Sequence, residues 1–160
     1  MKCHNLHLAK LTENHAHEIC SWKYTKPYHI YNFSSYEHAL KENEEITDSD
    51  KRDKEFCGVF DDENNLCGFV HFGKLDNLIR LGLGLKPELC GIGIGNELMK
   101  IVLEEAKKRE PSCLIDLEVL TWNERAFKLY IKSGFETVET YERKTPTGKS
   151  EFHRMVYSKK

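Results

Sequence analysis

The sequence predicts an α/β protein of the α+β kind, with one mixed, mostly antiparallel sheet of about seven strands and helices on both of its faces. Short apolar runs separated by turn residues occupy residues 56–85, which is typical of hairpins. Helical and strand-like patterns alternate over residues 78–135, which is typical of crossover connections. The predicted order is β-α-α-β-β-β-α-β-α-β-β, within a single domain spanning residues 1–160.

The first part of the chain is expected to contain one strand and two helices. Alternation of apolar and polar residues predicts a strand over Leu6–Leu11, and Thr12 can cap a helix over His15–Trp22. Either Ser34 or Ser35 can cap a short second helix.

Two stretches of this region have no clear period. Residues 22–36 contain six aromatic side chains, which form either a long connection packed on the domain or a wall of a pocket for an acceptor substrate. The run Lys41–Glu55 is mostly charged, with Ile46 as its one clear apolar residue. It is interpreted as a solvated helix end and loop.

Turn and capping residues mark the remaining elements. Turns at Asp61–Asn65 and Lys74–Asn77 separate three strands, and Pro146–Gly148 is the turn of a closing hairpin. Gly134 can end the last helix, and the segment Leu78–Leu120 should be a parallel crossover. The strands are Phe56–Phe60, Leu66–Phe72, Leu78–Leu85, Leu114–Leu120, Phe135–Lys144 and Ser150–Tyr157, and the helices are Gly95–Arg109 and Glu124–Lys132.

The composition argues against several classes of partner. A net charge of −2 provides no basic field that would attract nucleic acid. No apolar run approaches the ~20 residues of a membrane-spanning helix. The first residues lead into no apolar stretch, so we expect no signal peptide and a cytoplasmic location.

The cysteines and histidines show no metal-binding spacing. The six cysteines include no C-x-x-C pair and are interpreted as small buried side chains in a reducing cytosol. Cys3, His4 and His7 could bind a metal ion, but a frayed polar terminus is the preferred interpretation. We therefore expect no metal, and we consider His29 and His71 as candidates for the lining of an acceptor pocket.

The segment Leu81–Glu97 is the centre of the functional prediction. Its apolar strand stops at Pro87, and Gly91, Gly93 and Gly95 then alternate with isoleucines before an amphipathic helix begins. Such a turn presents main-chain N–H groups and the positive end of a helix dipole, which suit a diphosphate. Glycines allow the close approach that side chains would block.

Two segments of the chain contain sequence signatures, and their separation along the chain matches that of a known family. Residues 85–95 read L-K-P-E-L-C-G-I-G-I-G, and residues 117–135 contain L-E-V-x-x-x-N-x-x-A-x-x-x-Y-x-x-x-G-F. Together they resemble the pyrophosphate loop and the second signature of the GNAT superfamily of acyl-CoA-dependent N-acyltransferases. The resemblance extends over nearly the whole chain in element order. Glu118 lies five residues before Asn123, which is similar to the position of the catalytic glutamate in the ribosomal-protein alanine acetyltransferases.

The resemblance implies acetyl-CoA as a co-substrate. Its pantetheine arm would enter where strands Leu78–Leu85 and Leu114–Leu120 splay apart, with the N–H of Leu85 as donor to the oxyanion. Cys90 stands where the family has Arg or Gln, so the diphosphate would depend on main-chain N–H groups. The implied cofactor-binding residues are Leu83, Gly84, Leu85, Cys90, Gly91, Ile92, Gly93, Ile94, Gly95, Asn96, Asn123 and Tyr130.

The same resemblance implies two catalytic residues. Tyr130 would protonate the sulfur of the leaving thiolate, although a tyrosine here can also simply pack between helix and sheet. Glu118 is the candidate base, with an outward-facing glutamate or one that orients water as alternatives. Asp116 should share the face of Glu118 by strand alternation. Asn123 is a helix N-cap by local rules and a ligand of the pantetheine arm by resemblance.

The preferred hypothesis is an N-acetyltransferase in which a primary amine of a small molecule or a protein N-terminus attacks acetyl-CoA directly, because no cysteine lies in a plausible nucleophile position. One alternative is a catalytically silent acyl-CoA-binding regulatory module. A dinucleotide-binding domain is disfavoured, because the spacing is G-x-G-x-G and the preceding elements are hairpins. The sequence leaves the acceptor and the oligomeric state open, and a homodimer is compatible with it.

Overall fold

The computed structural model describes residues 5–145 and 147–158, so the expectations for Cys3, His4 and Pro146 lie outside the described residues. The strands are β1 (His7–Ala9), β2 (Phe56–Phe60), β3 (Leu66–Leu75), β4 (Leu78–Leu85), β5 (Leu114–Leu120), β6 (Phe135–Thr145) and β7 (Gly148–Tyr157). The α-helices are α1 (Glu13–Ser21), α2 (Tyr36–Lys41), α3 (Ser49–Glu55), α4 (Gly95–Arg109) and α5 (Glu124–Ser133). Short 3-10 helices occupy Tyr28–Tyr31, Glu45–Thr47 and Pro87–Leu89.

The seven strands form one sheet in the order β1-β2-β3-β4-β5-β7-β6. Strand β4 pairs with β5 in parallel, whereas β1 with β2, β2 with β3, β5 with β7 and β6 with β7 pair antiparallel. The prediction of a mixed, mostly antiparallel sheet is confirmed, as is the parallel crossover between β4 and β5. The predicted strands and helices have their bounds within three residues of those observed.

The chain divides into two compact units, each built from two segments. The first contains residues 5–71 and 83–94, and the second contains residues 72–82 and 95–158. The core of the first unit consists of buried apolar side chains from its helices and strands, with Phe33 and Phe69 packed against it. These core residues are Leu11, Ala16, Ile19, Cys20, Trp22, Tyr36, Ile46, Phe56, Phe60 and Leu66.

The interpretation of Lys41–Glu55 as a solvated helix end and loop is correct for most of its side chains, which are exposed, but wrong for the loop. The run contains a 3-10 helix and α3, and Arg52 within α3 is only 5% exposed. Its Nη1 donates a hydrogen bond to the main-chain oxygen of Ile46 at 2.9 Å. The side chain of Asp48 caps α3 by accepting from two main-chain N–H groups. An arginine can bury its aliphatic stem when its guanidinium is hydrogen-bonded, so counting charges overestimates exposure.

The aromatic stretch of residues 22–36 joins the core of the first unit at both ends. Trp22 and Tyr36 are buried, and Phe33 packs against the same core. The reading as a packed connection therefore holds for these three rings. The reading as a wall of an acceptor pocket stays a prediction.

Local signals set the helix ends. Thr12 caps α1 through a reciprocal pair of hydrogen bonds with His15, and Ser35 caps α2. Asn123 caps α5, and Gly134 ends it with a φ of 108°, as predicted. In the second unit, α4 buries a face of Leu98, Met99, Val102, Leu103 and Ala106. No helix among the described residues is long and apolar enough to cross a membrane.

Candidate active site

The glycine bend, which comprises residues 91–94, follows the 3-10 helix Pro87–Leu89 in the first unit. Gly91 and Gly93 have φ values of 77° and 90°, which other residues rarely adopt. A Cβ atom on Gly93 would lie within 4 Å of no other atom, so the backbone conformation, rather than lack of space, requires a glycine. Ile94 is buried and Ile92 is 48% exposed, so the turn is anchored by one of its isoleucines. Helix α4 begins at the next residue, Gly95.

Cys90 ends the 3-10 helix and is half-buried, as expected for a small loop residue. Its Sγ lies 3.9 Å from the main-chain oxygen of Leu85 and 3.7 Å from that of Lys86. The thiol therefore contacts the carbonyl groups at the end of β4.

The end of β4 is fixed by main-chain and side-chain contacts within the first unit. The hydroxyl of Tyr24 donates to the oxygen of Leu85 at 2.6 Å, and the N–H of Lys86 donates to the oxygen of Cys67 at 2.8 Å. A Cβ atom on Gly68 would lie 2.4 Å from the oxygen of Gly84, so the two backbones are in close contact. The segment Leu83–Leu85 is therefore a restrained piece of backbone.

A charged cluster in the second unit surrounds the acidic residues of β5. Asp116 is fully buried and accepts hydrogen bonds from Nε and Nη2 of Arg80 at 3.1 and 2.8 Å. It also accepts one from Nε of Arg154 at 2.7 Å. The hydrogen bonds to Asp116 raise the pKa of both Arg80 and Arg154, so both guanidinium groups stay charged.

Glu118 lies on the same side of β5, and its side chain is 13% exposed. One carboxylate oxygen accepts a short hydrogen bond from the hydroxyl of Tyr141. The other lies 3.4 Å from Nη2 of Arg143 and 3.7 Å from Nη1 of Arg80. Burial and the hydrogen bond to Glu118 raise the pKa of Tyr141 to about 12. The alternation that places Asp116 and Glu118 together is confirmed, and Arg80 contacts both.

Asn123 and Tyr130 belong to the cap and the body of α5, also in the second unit. Asn123 is 6% exposed, and its Oδ1 accepts a hydrogen bond from the N–H of Ala126 at 3.2 Å. Tyr130 is half-buried, with its ring centroid 6.1 Å from that of Phe135 at an angle of 61°. The packing role of Tyr130 is therefore real, and its role as an acid is a separate prediction.

A group of side chains in the first unit is close enough to hold a metal ion. Nε2 of His71 lies 2.8 Å from a carboxylate oxygen of Glu55 and 3.0 Å from one of Glu45, and its ring stacks on Phe56. Among residues 5–145 and 147–158, it is the single group of three or more His, Cys, Asp or Glu side chains that could hold a metal ion. Lys51 also contacts Glu55, at 3.3 Å, so this carboxylate has a cationic partner without a metal. Our expectation of no metal stays a prediction, as does a place for His71 in an acceptor pocket.

Comparison with known proteins gives the family. Residues 16–135 match the model of the acetyltransferase (GNAT) family. The chain belongs to the GNAT acetyltransferases. The resemblance found in the two sequence signatures is thus confirmed over three quarters of the chain, and acetyl-CoA is the co-substrate of this family.

Solved structures of GNAT acetyltransferases have the same fold. A chimera of the spermidine N-acetyltransferase SpeG from Vibrio cholerae and hSSAT is 20% identical, with 94% of this chain and 93% of that one covered and a TM-score of 0.74. A GNAT acetyltransferase from Bacillus anthracis is 15% identical, with coverage of 97% and 95% and a TM-score of 0.76. The ribosomal-protein-S18-alanine N-acetyltransferase from Escherichia coli is 16% identical, with coverage of 98% and 96% and a TM-score of 0.67. No curated protein sequence matches the chain.

Sequence reasoning missed several partners of the candidate site residues in this GNAT acetyltransferase. Arg80, Tyr141, Arg143 and Arg154 surround the β5 carboxylates, although they lie on three other strands. Arg80 offered one signal, because it is the single charged residue within the apolar run Leu78–Leu85. The contact of Tyr24 with Leu85 and the group around His71 offered none, since their members are far apart in sequence.

Proposed function

We propose that the chain transfers the acetyl group of acetyl-CoA to a primary amine, of a small molecule or of a protein N-terminus, by direct attack of the amine. Membership of the GNAT acetyltransferases supports the reaction class. The observation that carries the proposal for this chain is the glycine bend, whose left-handed residues immediately precede α4. The relatives named as spermidine N-acetyltransferase and as ribosomal-protein-S18-alanine N-acetyltransferase are both N-acetyltransferases, which supports an amine acceptor.

The main-chain N–H groups of residues 91–96 would bind the diphosphate of acetyl-CoA. Positive φ values at Gly91 and Gly93 turn the backbone so that successive N–H groups can converge, and the start of α4 contributes its dipole. Cys90 provides no guanidinium or amide donor at the position where the family has one. Binding of the diphosphate would therefore depend on backbone geometry more than on a side chain.

The end of β4 would bind the pantetheine arm and the thioester. We assign the backbone of Leu83–Leu85 to the arm and the N–H of Leu85 to the oxyanion that develops during attack. The restrained backbone of this segment supports the assignment, since Gly84 is in close contact with Gly68 in the first unit. Asn123, which caps α5 through its Oδ1, would also contact the arm through its side-chain amide.

Glu118 and Tyr130 would handle the protons. Glu118 would accept a proton from the attacking amine, directly or through a water that it orients, as the new C–N bond forms. Tyr130 would give its proton to the sulfur as the C–S bond breaks, so that coenzyme A leaves as a thiol. Because Glu118 already contacts Tyr141, Arg80 and Arg143, an incoming ammonium group would compete with these donors for the carboxylate.

The test is release of free thiol from acetyl-CoA in the presence of an amine panel, with the acetylated product detected by mass spectrometry. The panel contains spermidine, an aminoglycoside, small amino compounds and a peptide with an N-terminal alanine. Turnover with at least one amine supports the proposal. Thermal stabilisation by coenzyme A without turnover on any of them would instead favour an acyl-CoA-binding regulatory module.

A further inference from the structure

The peptide group between Leu85 and Lys86 is held at both of its polar ends. Its carbonyl oxygen accepts a hydrogen bond from the hydroxyl of Tyr24 at 2.6 Å. Its N–H donates to the oxygen of Cys67, on β3, at 2.8 Å. A peptide group is planar, so fixing both ends fixes the orientation of the whole plane.

The preceding peptide group, between Gly84 and Leu85, is restrained on its other side. Its carbonyl oxygen lies against Gly68, where a Cβ atom would come within 2.4 Å. The Cα of Gly84 faces the ring of Phe69, which a Cβ atom would approach to 2.3 Å. Because Gly84 is packed in this way, the direction of the Leu85 N–H can change only through the two backbone dihedral angles of Leu85. The hydrogen bond from Tyr24 to the Leu85 oxygen restricts these two angles.

Tyr24 is itself firmly placed. Its main-chain N–H donates to Oδ1 of Asn32 at 2.7 Å, and the side chain of Lys23 donates to the oxygen of Phe33 at 3.3 Å. These contacts close the aromatic stretch into a loop that begins directly after the C-cap of α1, Trp22. Burial, with a further contribution from Cys90, raises the pKa of Tyr24, so its hydroxyl remains a donor across the physiological pH range.

We propose that Tyr24 is a positioning residue for acetyl transfer, whose hydroxyl holds the Leu85–Lys86 peptide group and thereby aims the N–H of Leu85 at the developing oxyanion. This inference rests on the proposed function. An oxyanion donor contributes only when it is aimed at the position of the charge in the transition state. Loss of the Tyr24 hydroxyl leaves the Leu85 N–H in place but frees its orientation, so the effect falls on kcat rather than on the binding of acetyl-CoA.

The first experiment compares Tyr24→Phe with the wild type, using the best amine of the panel. We expect kcat to fall about 10-fold, less than the roughly 100- to 1,000-fold loss of an entire oxyanion donor. The KM for acetyl-CoA and the thermal shift caused by coenzyme A should stay within about twofold of wild type, since ground-state binding is unchanged. Tyr157→Phe, whose lost hydroxyl accepts a hydrogen bond from Lys107 at 3.2 Å in the second unit, is the matched control and should keep wild-type kcat.

A second pair of variants decides the question if Tyr24→Phe does not fold. Asn32→Ala removes the acceptor of the Tyr24 N–H and should lower kcat in the same direction, whereas Asn32→Asp keeps an oxygen acceptor and should restore it. If kcat in Tyr24→Phe is unchanged, or if only the KM for acetyl-CoA changes, the role of Tyr24 is overturned and the proposed function still stands. A wild-type protein that acetylates no amine would overturn the proposed function, and the role of Tyr24 with it.

Discussion

Arg80 links Asp116 to Glu118. Two nitrogens of its guanidinium bind both oxygens of the buried Asp116 carboxylate, and the third lies 3.7 Å from Glu118. The candidate base thus shares a cation with a carboxylate that is fully removed from solvent. Changes at Asp116 should consequently affect both the stability of the second unit and the surroundings of Glu118.

Replacing Asp116 by Asn should strongly destabilise the protein. The change leaves Arg80 and Arg154 without their shared anion, and breaking a buried ion pair costs about 3–5 kcal/mol. Urea denaturation measures the free energy of unfolding. Glu139→Gln is the control, because Glu139 pairs with Arg154 at 3.3 Å but is 56% exposed, and its loss should cost less than about 1 kcal/mol. Equal effects of the two substitutions would contradict the importance of burial here.

Replacing Glu118 by Gln should separate its two possible roles. A proton acceptor is lost in this variant, so kcat/KM at neutral pH should fall roughly 100- to 10,000-fold if Glu118 takes the proton itself. If Glu118 only orients a water, the amide keeps an acceptor oxygen and the loss should be smaller than about 10-fold. Steady-state kinetics against pH distinguish the cases, with Glu136→Gln on the exposed face of β6 as a control. Wild-type rates in Glu118→Gln would exclude both roles.

Replacing Tyr130 by Phe should lower kcat while leaving the KM for acetyl-CoA nearly unchanged. The ring and its packing on Phe135 are kept, and only the proton donor is removed. General acid catalysis is worth about 100- to 10,000-fold. Tyr157→Phe is a close control, because Tyr157 also packs on Phe135, with ring centroids 5.5 Å apart. A kcat in Tyr130→Phe that equals that of the control would show that Tyr130 only packs.

Replacing Gly93 by Ala should weaken binding of coenzyme A. The added methyl group meets no atom, but the φ of 90° is strained for alanine at about 1–3 kcal/mol, so the bend will relax and move its N–H groups. Gly148→Ala provides the matched control, with a φ of 115° and equally open space. Both variants should lose similar stability in thermal unfolding, whereas only Gly93→Ala should weaken coenzyme A binding by calorimetry. Parallel losses of affinity would argue against the glycine bend as the diphosphate site.

Replacing Glu55 by Gln should make the stability of the folded protein depend less on pH in the acidic range. Burial alone would raise the pKa of Glu55, but hydrogen bonds from His71 and Lys51 outweigh it, and the pKa is lower than its ordinary value of 4.5. A carboxyl group with a lowered pKa in the folded state stabilises the protein above its unfolded pKa, and this contribution is lost as pH falls through the folded value. Thermal unfolding between pH 6 and roughly pH 3 measures it, since an unfolded glutamate titrates within this range. An identical pH slope in both proteins would contradict the lowered pKa.

Local signals made much of the fold predictable. Thr12, Ser35, Asn123 and Gly134 act on residues within four positions of themselves, so their capping roles can be read directly from the sequence. The two signatures similarly depend on fixed spacing, which is why the family could be recognised before the fold was known.

The contacts that could not be predicted join distant positions. Tyr24 and Leu85 are 61 residues apart, and Arg80 and Asp116 are 36 apart, so each pair depends on how whole strands and loops are placed. Arg52 is buried because its guanidinium finds the carbonyl of Ile46, a tertiary contact that overrides the polarity of its neighbours. The candidate residues were therefore visible in the sequence, whereas the groups that hold and surround them were not.

The contact between Gly68 and Gly84 limits which residues the end of β4 can accept. A methyl group at Gly68 would strike a carbonyl oxygen of the backbone, which cannot turn aside, whereas one at Gly84 would strike only the ring of Phe69, which can rotate. A larger residue is consequently easier to accommodate at Gly84, where Phe69 would have to shift, than at Gly68. Phe69 is thus the adjustable partner in an otherwise rigid pair of strands.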